Sequence, residues 1–87
     1  MKKVEIAKLN GLSLDEGEKL LLENGYIRTN EIVSNDIDDI CIEDIYFTLF
    51  DEEDNAIHQI TYSSYWHGSP ADIETDYFKR EWQENQI

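Results

Sequence analysis

The 87 residues fit one domain and carry 20 acids against 7 bases, a formal net charge of -13. That charge disfavours anionic membranes and direct contact with nucleic-acid phosphates, both of which are negative. At 40% hydrophobic and 11% aromatic residues the chain is too apolar for a disordered acidic tail, and its single cysteine excludes an internal disulfide framework.

Residues 3–8 alternate, with Val4 and Ile6 against Lys3, Glu5 and Lys8, and read as a short strand. Asn10-Gly11 is a turn signal. Ser13 and Glu16 have the spacing of a capping box, Leu20 to Leu22 follow, and Asn24-Gly25 supplies a left-handed stop, so a helix is expected over 14–24. Gly17 inside that helix costs roughly 1 kcal/mol against alanine, which implies close approach to a neighbouring element. Tyr26 to Val33 reads as a strand, and Ser34 to Asp39 as a polar turn. Ile40 to Phe50 is dense in strand formers, Glu52–Asn55 has hairpin-turn length, and Ala56 to Ser64 returns as the partner strand. Pairing Asp51 with Ala56 sets Leu49 against His58, Phe47 against Ile60 and Ile45 against Tyr62. Ile45, Phe47, Leu49, Ile60 and Tyr62 then share an inner face, and Tyr46, Thr48, Phe50, Ile57, Gln59 and Thr61 share the other. Ser69, Pro70 and Asp72 look like a second helix start, which predicts a helix from 70 to about 85 with Ile73, Tyr77, Phe78 and Trp82 along one side. The expected fold is a single α+β domain over 1–87. A three- or four-stranded antiparallel sheet packs with two helices in the order (β)-α-β-β-β-α.

From Thr29 to Phe78 these fifty residues contain no lysine and no arginine but hold 13 of the acids; the other 37 residues balance to zero. One continuous block therefore carries the whole net charge. A field of one sign raises self-repulsion and steers cationic partners in, so the pattern points to a binder of something basic. The candidate contact residues are Asp36, Asp38, Asp39, Glu43 and Asp44, with the tip Asp51, Glu52, Glu53 and Asp54. Tyr65 and Trp66 are the candidate aromatic anchors.

Other chemistries find less support in the residues. The hairpin register sets Cys41 opposite Trp66 and beside His67, and cysteine, histidine and carboxylate are competent zinc ligands. No CxxC, HxxxH or HExxH spacing accompanies them, so zinc is an alternative and the expectation is no cofactor. An EF-hand fails because the sixth and twelfth positions from Asp51 are Ala56 and Tyr62. No GxSxG, P-loop or dinucleotide fingerprint occurs, so an enzyme is not expected. Ile6 to Gly17 has the look of a helix-turn-helix start. Its second helix would carry Asp15, Glu16, Glu18 and Glu23 against Lys19, the wrong charge for a phosphate-lined groove. Over residues 4–34 the stretch NGLSLDEGEKLLLENGY resembles the strand-turn-helix unit of PASTA repeats, which implies a local fold only.

At whole-chain level the size, the charge and the lack of catalytic motifs resemble small acidic phage-encoded nuclease inhibitors, such as anti-CRISPR proteins and DNA mimics. That resemblance implies an inhibitor blocking the basic nucleic-acid-binding surface of a host nuclease, with no direct nucleic-acid or membrane contact. Toxin-immunity proteins share the same features, and a small metal-stabilised binding module using Cys41 and His67 is a third possibility. The MKKVEIAKLNG start lacks a signal-peptide apolar region and no run approaches the roughly 18 apolar residues of a membrane span, so a cytoplasmic location is expected.

Overall fold

A computed structural model describes residues 3–35, 40–67 and 76–87, and the side chains of 3–30, 42–64 and 80–87. After a 3-10 turn at Ile6–Lys8 come helix α1 (Leu14–Glu23) and strands β1 (Ile27–Asn35), β2 (Ile40–Phe50), β3 (Ala56–His67) and β4 (Asp76–Asn85). The strands form one antiparallel sheet in the order β1-β2-β3-β4.

Helix α1 forms for the local reasons its sequence contains. Ser13 Oγ accepts from the Glu16 N–H at 3.2 Å, while the Glu16 carboxylate reaches back to the Ser13 N–H at 3.4 Å. The two bonds satisfy donors that a bare helix start leaves open. At the other end Gly25 takes φ +90°, a conformation that needs no Cβ, and the Tyr26 N–H bonds back to the Leu21 carbonyl at 3.0 Å.

The register of β2 and β3 turns one face of the sheet inward. Leu49 pairs with His58, Phe47 with Ile60 and Ile45 with Tyr62, as the alternation predicts. Ile45, Phe47, Leu49, Ile60 and Tyr62 are all buried, joined from outside the hairpin by Val4, Leu9, Leu21, Tyr26 and Trp82. The hairpin departs from expectation at its end, where Ala56 pairs with Phe50 rather than Asp51 and the register shifts between Leu49 and Phe50. An extra residue there lets the turn close on Asp51.

Two expected elements are corrected. Residues 3–8 are not a strand: Val4 and Leu9 drop into the core on either side of the 3-10 turn, at 5% and 0% exposure. Residues 76–85 are not a helix but strand β4. Its Trp82 pairs with Tyr62, its Glu84 with Ile60 and its Arg80 with Ser64, a period-two pattern that puts Trp82 in the core. The apolar positions Tyr77, Phe78 and Trp82 suit either element, and pairing to the free edge of β3 overrides local helix propensity. The proposed caps Ser69, Pro70 and Asp72 lie outside the described residues. The observed order is thus α-β-β-β-β after a short 3-10 turn, with one α-helix among the described residues.

Gly17 shows why α1 carries a glycine. A Cβ built there lands under 3.0 Å from Cζ2, Cη2 and Cε2 of Trp82. The helix backbone lies directly on the indole, and Trp82 Nε1 donates to the Leu12 carbonyl at 3.2 Å.

Candidate interaction surface

The β2–β3 turn is built around Asp51. Its Oδ1 accepts from the N–H of Glu53 at 2.8 Å and of Asn55 at 2.9 Å, and its own N–H donates to the Asn55 carbonyl at 2.9 Å. Asp54 sits at φ 63°, which aspartate tolerates better than most residues. These bonds, that from the Asn55 N–H first, hold the Asp51 carboxyl below its ordinary pKa. The turn is therefore an ordered loop from which Glu52, Glu53 and Asp54 project into solvent.

Of the other candidate carboxylates, Glu43 and Asp44 lie within the described residues, and they stand apart from this tip. Seven residues of extended chain, roughly 23 Å, separate Asp44 from Asp51. Glu43 and Asp44 are half-buried and successive in β2, so they point to opposite faces. Glu43 shares the inner face with Ile45. Asp44 lies on the open face, where it accepts from Ser63 Oγ at 2.8 Å and has Glu31 as its β1 register partner. Asp36, Asp38 and Asp39 lie outside the described residues.

Tyr65 and Trp66 do not follow the last hairpin strand; they are part of it, because β3 runs on to His67. Tyr65 pairs with Ile42 and Lys79, and Trp66 with Cys41 and Tyr77, which leaves Phe78 unpaired in a register shift. Cys41 pairs with Trp66 and His67 with Ile40, so the two candidate zinc ligands stand one register position apart. Among the described residues no group of three His, Cys, Asp or Glu is arranged to hold a metal.

The open face of the sheet is polar and tied to itself. Gln59 Nε2 donates to Thr48 Oγ1 at 3.0 Å, and Asn85 Nδ2 donates to Gln59 Oε1 at 2.9 Å and also to Thr61 Oγ1. Among the charged side chains described, Arg28 is ion-paired with Glu18, which joins β1 to α1 and removes one base from the available field.

A second constellation was missed by sequence reasoning. Glu84 Oε2 lies 3.0 Å from His58 Nε2, His58 Nδ1 lies 2.6 Å from the Tyr26 hydroxyl, and that hydroxyl accepts from the Val4 N–H at 2.9 Å. His58 thus bridges the Tyr26 hydroxyl and the Glu84 carboxylate through its two ring nitrogens. Burial raises the Tyr26 pKa; the Val4 bond opposes that shift and the Glu84 charge adds to it. The Leu49–His58 pairing already turned the histidine inward, and a buried ring nitrogen needs a partner. No local pattern connects Tyr26 and Glu84, which come from opposite ends of the chain. Tyr26 is 3% exposed, so this chain of bonds serves as a clasp between the N-terminal segment, β3 and β4, not as a site open to substrate.

A cleft of about 540 Å³ lies between the Asn10–Ser13 turn and the β3–β4 pair, with Tyr62 and Trp82 in its wall. No helix among the described residues is long and apolar enough to cross a membrane. No family model matches the chain. No curated protein and no solved structure matches it either.

Proposed function

We propose that the protein is a stoichiometric inhibitor that occupies a basic, nucleic-acid-binding surface of a host nuclease, with a CRISPR nuclease as the first target to test, and that it acts in a bacterial cytoplasm. The observation that carries this reading is the β2–β3 hairpin. It lies wholly within the base-free segment and ends in an ordered tip that holds Glu52, Glu53 and Asp54 in solvent. A fixed cluster of like charge speeds encounter with a cationic groove, and its ordering reduces what docking must immobilise. Charge alone does not choose one groove among many, so Tyr65 and Trp66 supply the apolar contact in this reading.

The test is a titration of nuclease activity. Activity should fall linearly to zero at a fixed molar ratio. Replacing Glu52, Glu53 and Asp54 together by lysine, with Asp51 kept because it organises the turn, should slow association roughly tenfold or more and flatten its salt dependence. A nuclease unaffected by excess protein removes that target. Complete inactivation at a small fraction of an equivalent means turnover, and the inhibitor would then be an enzyme.

A further inference from the structure

Strand β1 is an edge that the fold leaves open. Its nine residues pair with β2 without a register shift from Ile27–Thr48 to Asn35–Ile40, where about five or six residues are usual for a strand. Among the described residues no backbone bond reaches its outer side. Alternate residues of a strand turn both N–H and C=O to the same side, so every second residue of β1 offers a donor and an acceptor outward. Proteins usually blunt such an edge with lysine, proline, a bulge or a covering segment. The opposite edge is treated in that way: β4 carries Lys79, its pairing with β3 shifts between Tyr65 and Trp66, and the 3-10 turn lies against it. β1 has no lysine, no proline and no shift. Its one base, Arg28, is held by Asn30 Oδ1 at 3.0 Å and by Glu18.

We propose that the β1 edge takes an extended basic segment of the partner as a fifth strand, antiparallel to β1; the basic character of that segment rests on the function proposed above. Backbone bonds supply the attachment, and the side chains that face β1 supply the selectivity. Charge decides the occupant. With Arg28 tied to Glu18, β1 is left with one acid, Glu31, and its neighbour β2 lies wholly in the base-free segment. Glu31 and Asp44 occupy one cross-strand row, so a base opposite Glu31 continues that row with the opposite charge. Four residues back along the same face stands Ile27, 56% exposed, which suits an apolar neighbour. The incoming segment therefore carries a lysine or arginine and, four residues later, a β-branched side chain. A second copy of this chain fits worse. It brings a further charge of -13, and two-fold pairing sets opposite each other only residues an even number of positions apart. Arg28 and Glu31 are three apart, so they never meet across such a seam.

The experiment needs no nuclease. Isotope-labelled protein is titrated with a capped peptide of threonine and valine that matches β1 in length and carries arginine at its centre and isoleucine at its C-terminal end. One comparison peptide has glutamate at the centre. Another is N-methylated along its centre, which removes the backbone donors and keeps the charge. The arginine peptide should bind saturably at millimolar concentration and slow hydrogen exchange at every second amide of Ile27–Asn35. The N-methylated peptide should not. Glu31→Gln should weaken arginine-peptide binding about two- to fivefold, and the glutamate peptide should bind the native protein more weakly than the arginine peptide does. No saturable protection of β1, equal binding of the N-methylated or glutamate peptide, or arginine binding indifferent to Glu31→Gln overturns the proposal. So does protection of the same amides that grows with protein concentration before any peptide is added, which assigns the edge to a second copy. None of these readouts involves nuclease activity, so the edge can fail while the inhibitor reading stands, and the reverse.

Discussion

Replacing Gly17 by alanine tests the closest contact in the core. In an exposed helix interior the change would stabilise by about 1 kcal/mol. Here the new Cβ would fall under 3.0 Å from three indole atoms of Trp82. The ring has little room to withdraw, with Phe47 at 5.9 Å and Tyr62 at 4.8 Å between centroids and the Leu12 carbonyl on Nε1. Overpacking costs about 1–3 kcal/mol, and straining the indole bond about 1 kcal/mol more. Set against the propensity gain, the net is a loss of about 2 kcal/mol, or roughly 8–16 °C in Tm for a chain of this size. Thermal and urea unfolding of the single variant measure it. The same substitution in a Trp82→Leu background isolates its cause. With the indole gone the clash disappears, and Gly17→Ala should become stabilising by up to about 1 kcal/mol. A rise in Tm in the native background, or the same loss in both backgrounds, would refute the packing account.

Tyr26→Phe should cost about 2–4 kcal/mol, because it leaves the Val4 N–H and His58 Nδ1 without their partner; urea midpoints measure it. The same variant carries a pH signature. Burial raises the Tyr26 pKa in the fold, so the neutral phenol is favoured there, and stability is full below the unfolded value of about 10 and declines as pH rises beyond it. Alkaline denaturation curves should lose this decline in Tyr26→Phe and keep it in other tyrosine variants. Tyr65→Ala or Trp66→Ala should weaken partner binding roughly thirtyfold with little change in Tm. Unfolding of both by the substitution would assign them to the core and remove them as anchors.

Local signals were legible where a residue's role depends on its neighbours in sequence. The Ser13–Glu16 box, the glycine stop and the β2–β3 register from Leu49–His58 to Ile45–Tyr62 all follow from short-range pattern, and all are present in the fold. Even the compensation for Gly17 could be foreseen, though not its identity, since Trp82 is 65 residues away. The misreadings arise where a long-range partner decides. Residues 76–85 have sequence features of a helix but become a strand because β3 has a free edge to pair. Residues 3–8 leave their strand pattern because the core draws in Val4 and, just beyond them, Leu9. The candidate contact residues Glu43 and Asp44 do not share a face, since adjacency in a strand means opposite faces. The clasp of Glu84, His58 and Tyr26 spans the whole chain and has no sequence signature at all.

The distribution of charge separates what holds the fold from what the fold presents. The core lies between α1, the 3-10 turn and one face of the sheet, whereas the tip and the carboxylates of the open face lie outside it. Arg28–Glu18 is an ion pair that favours folding, but it cannot balance a net -13. Self-repulsion in the compact state should then dominate the electrostatic contribution to stability. Salt shortens the screening length from about 30 Å at 0.01 M to about 3 Å at 1 M, so added sodium chloride should raise Tm. The same screening weakens steering toward a basic partner, so it should lower the association rate. Opposite signs for these two responses are the signature of a field kept for recognition at a cost in stability. A Tm that falls with salt would mean that attractive pairs outweigh the repulsion. The base-free segment would then be part of what holds the fold together, and its charge would need no partner to explain it.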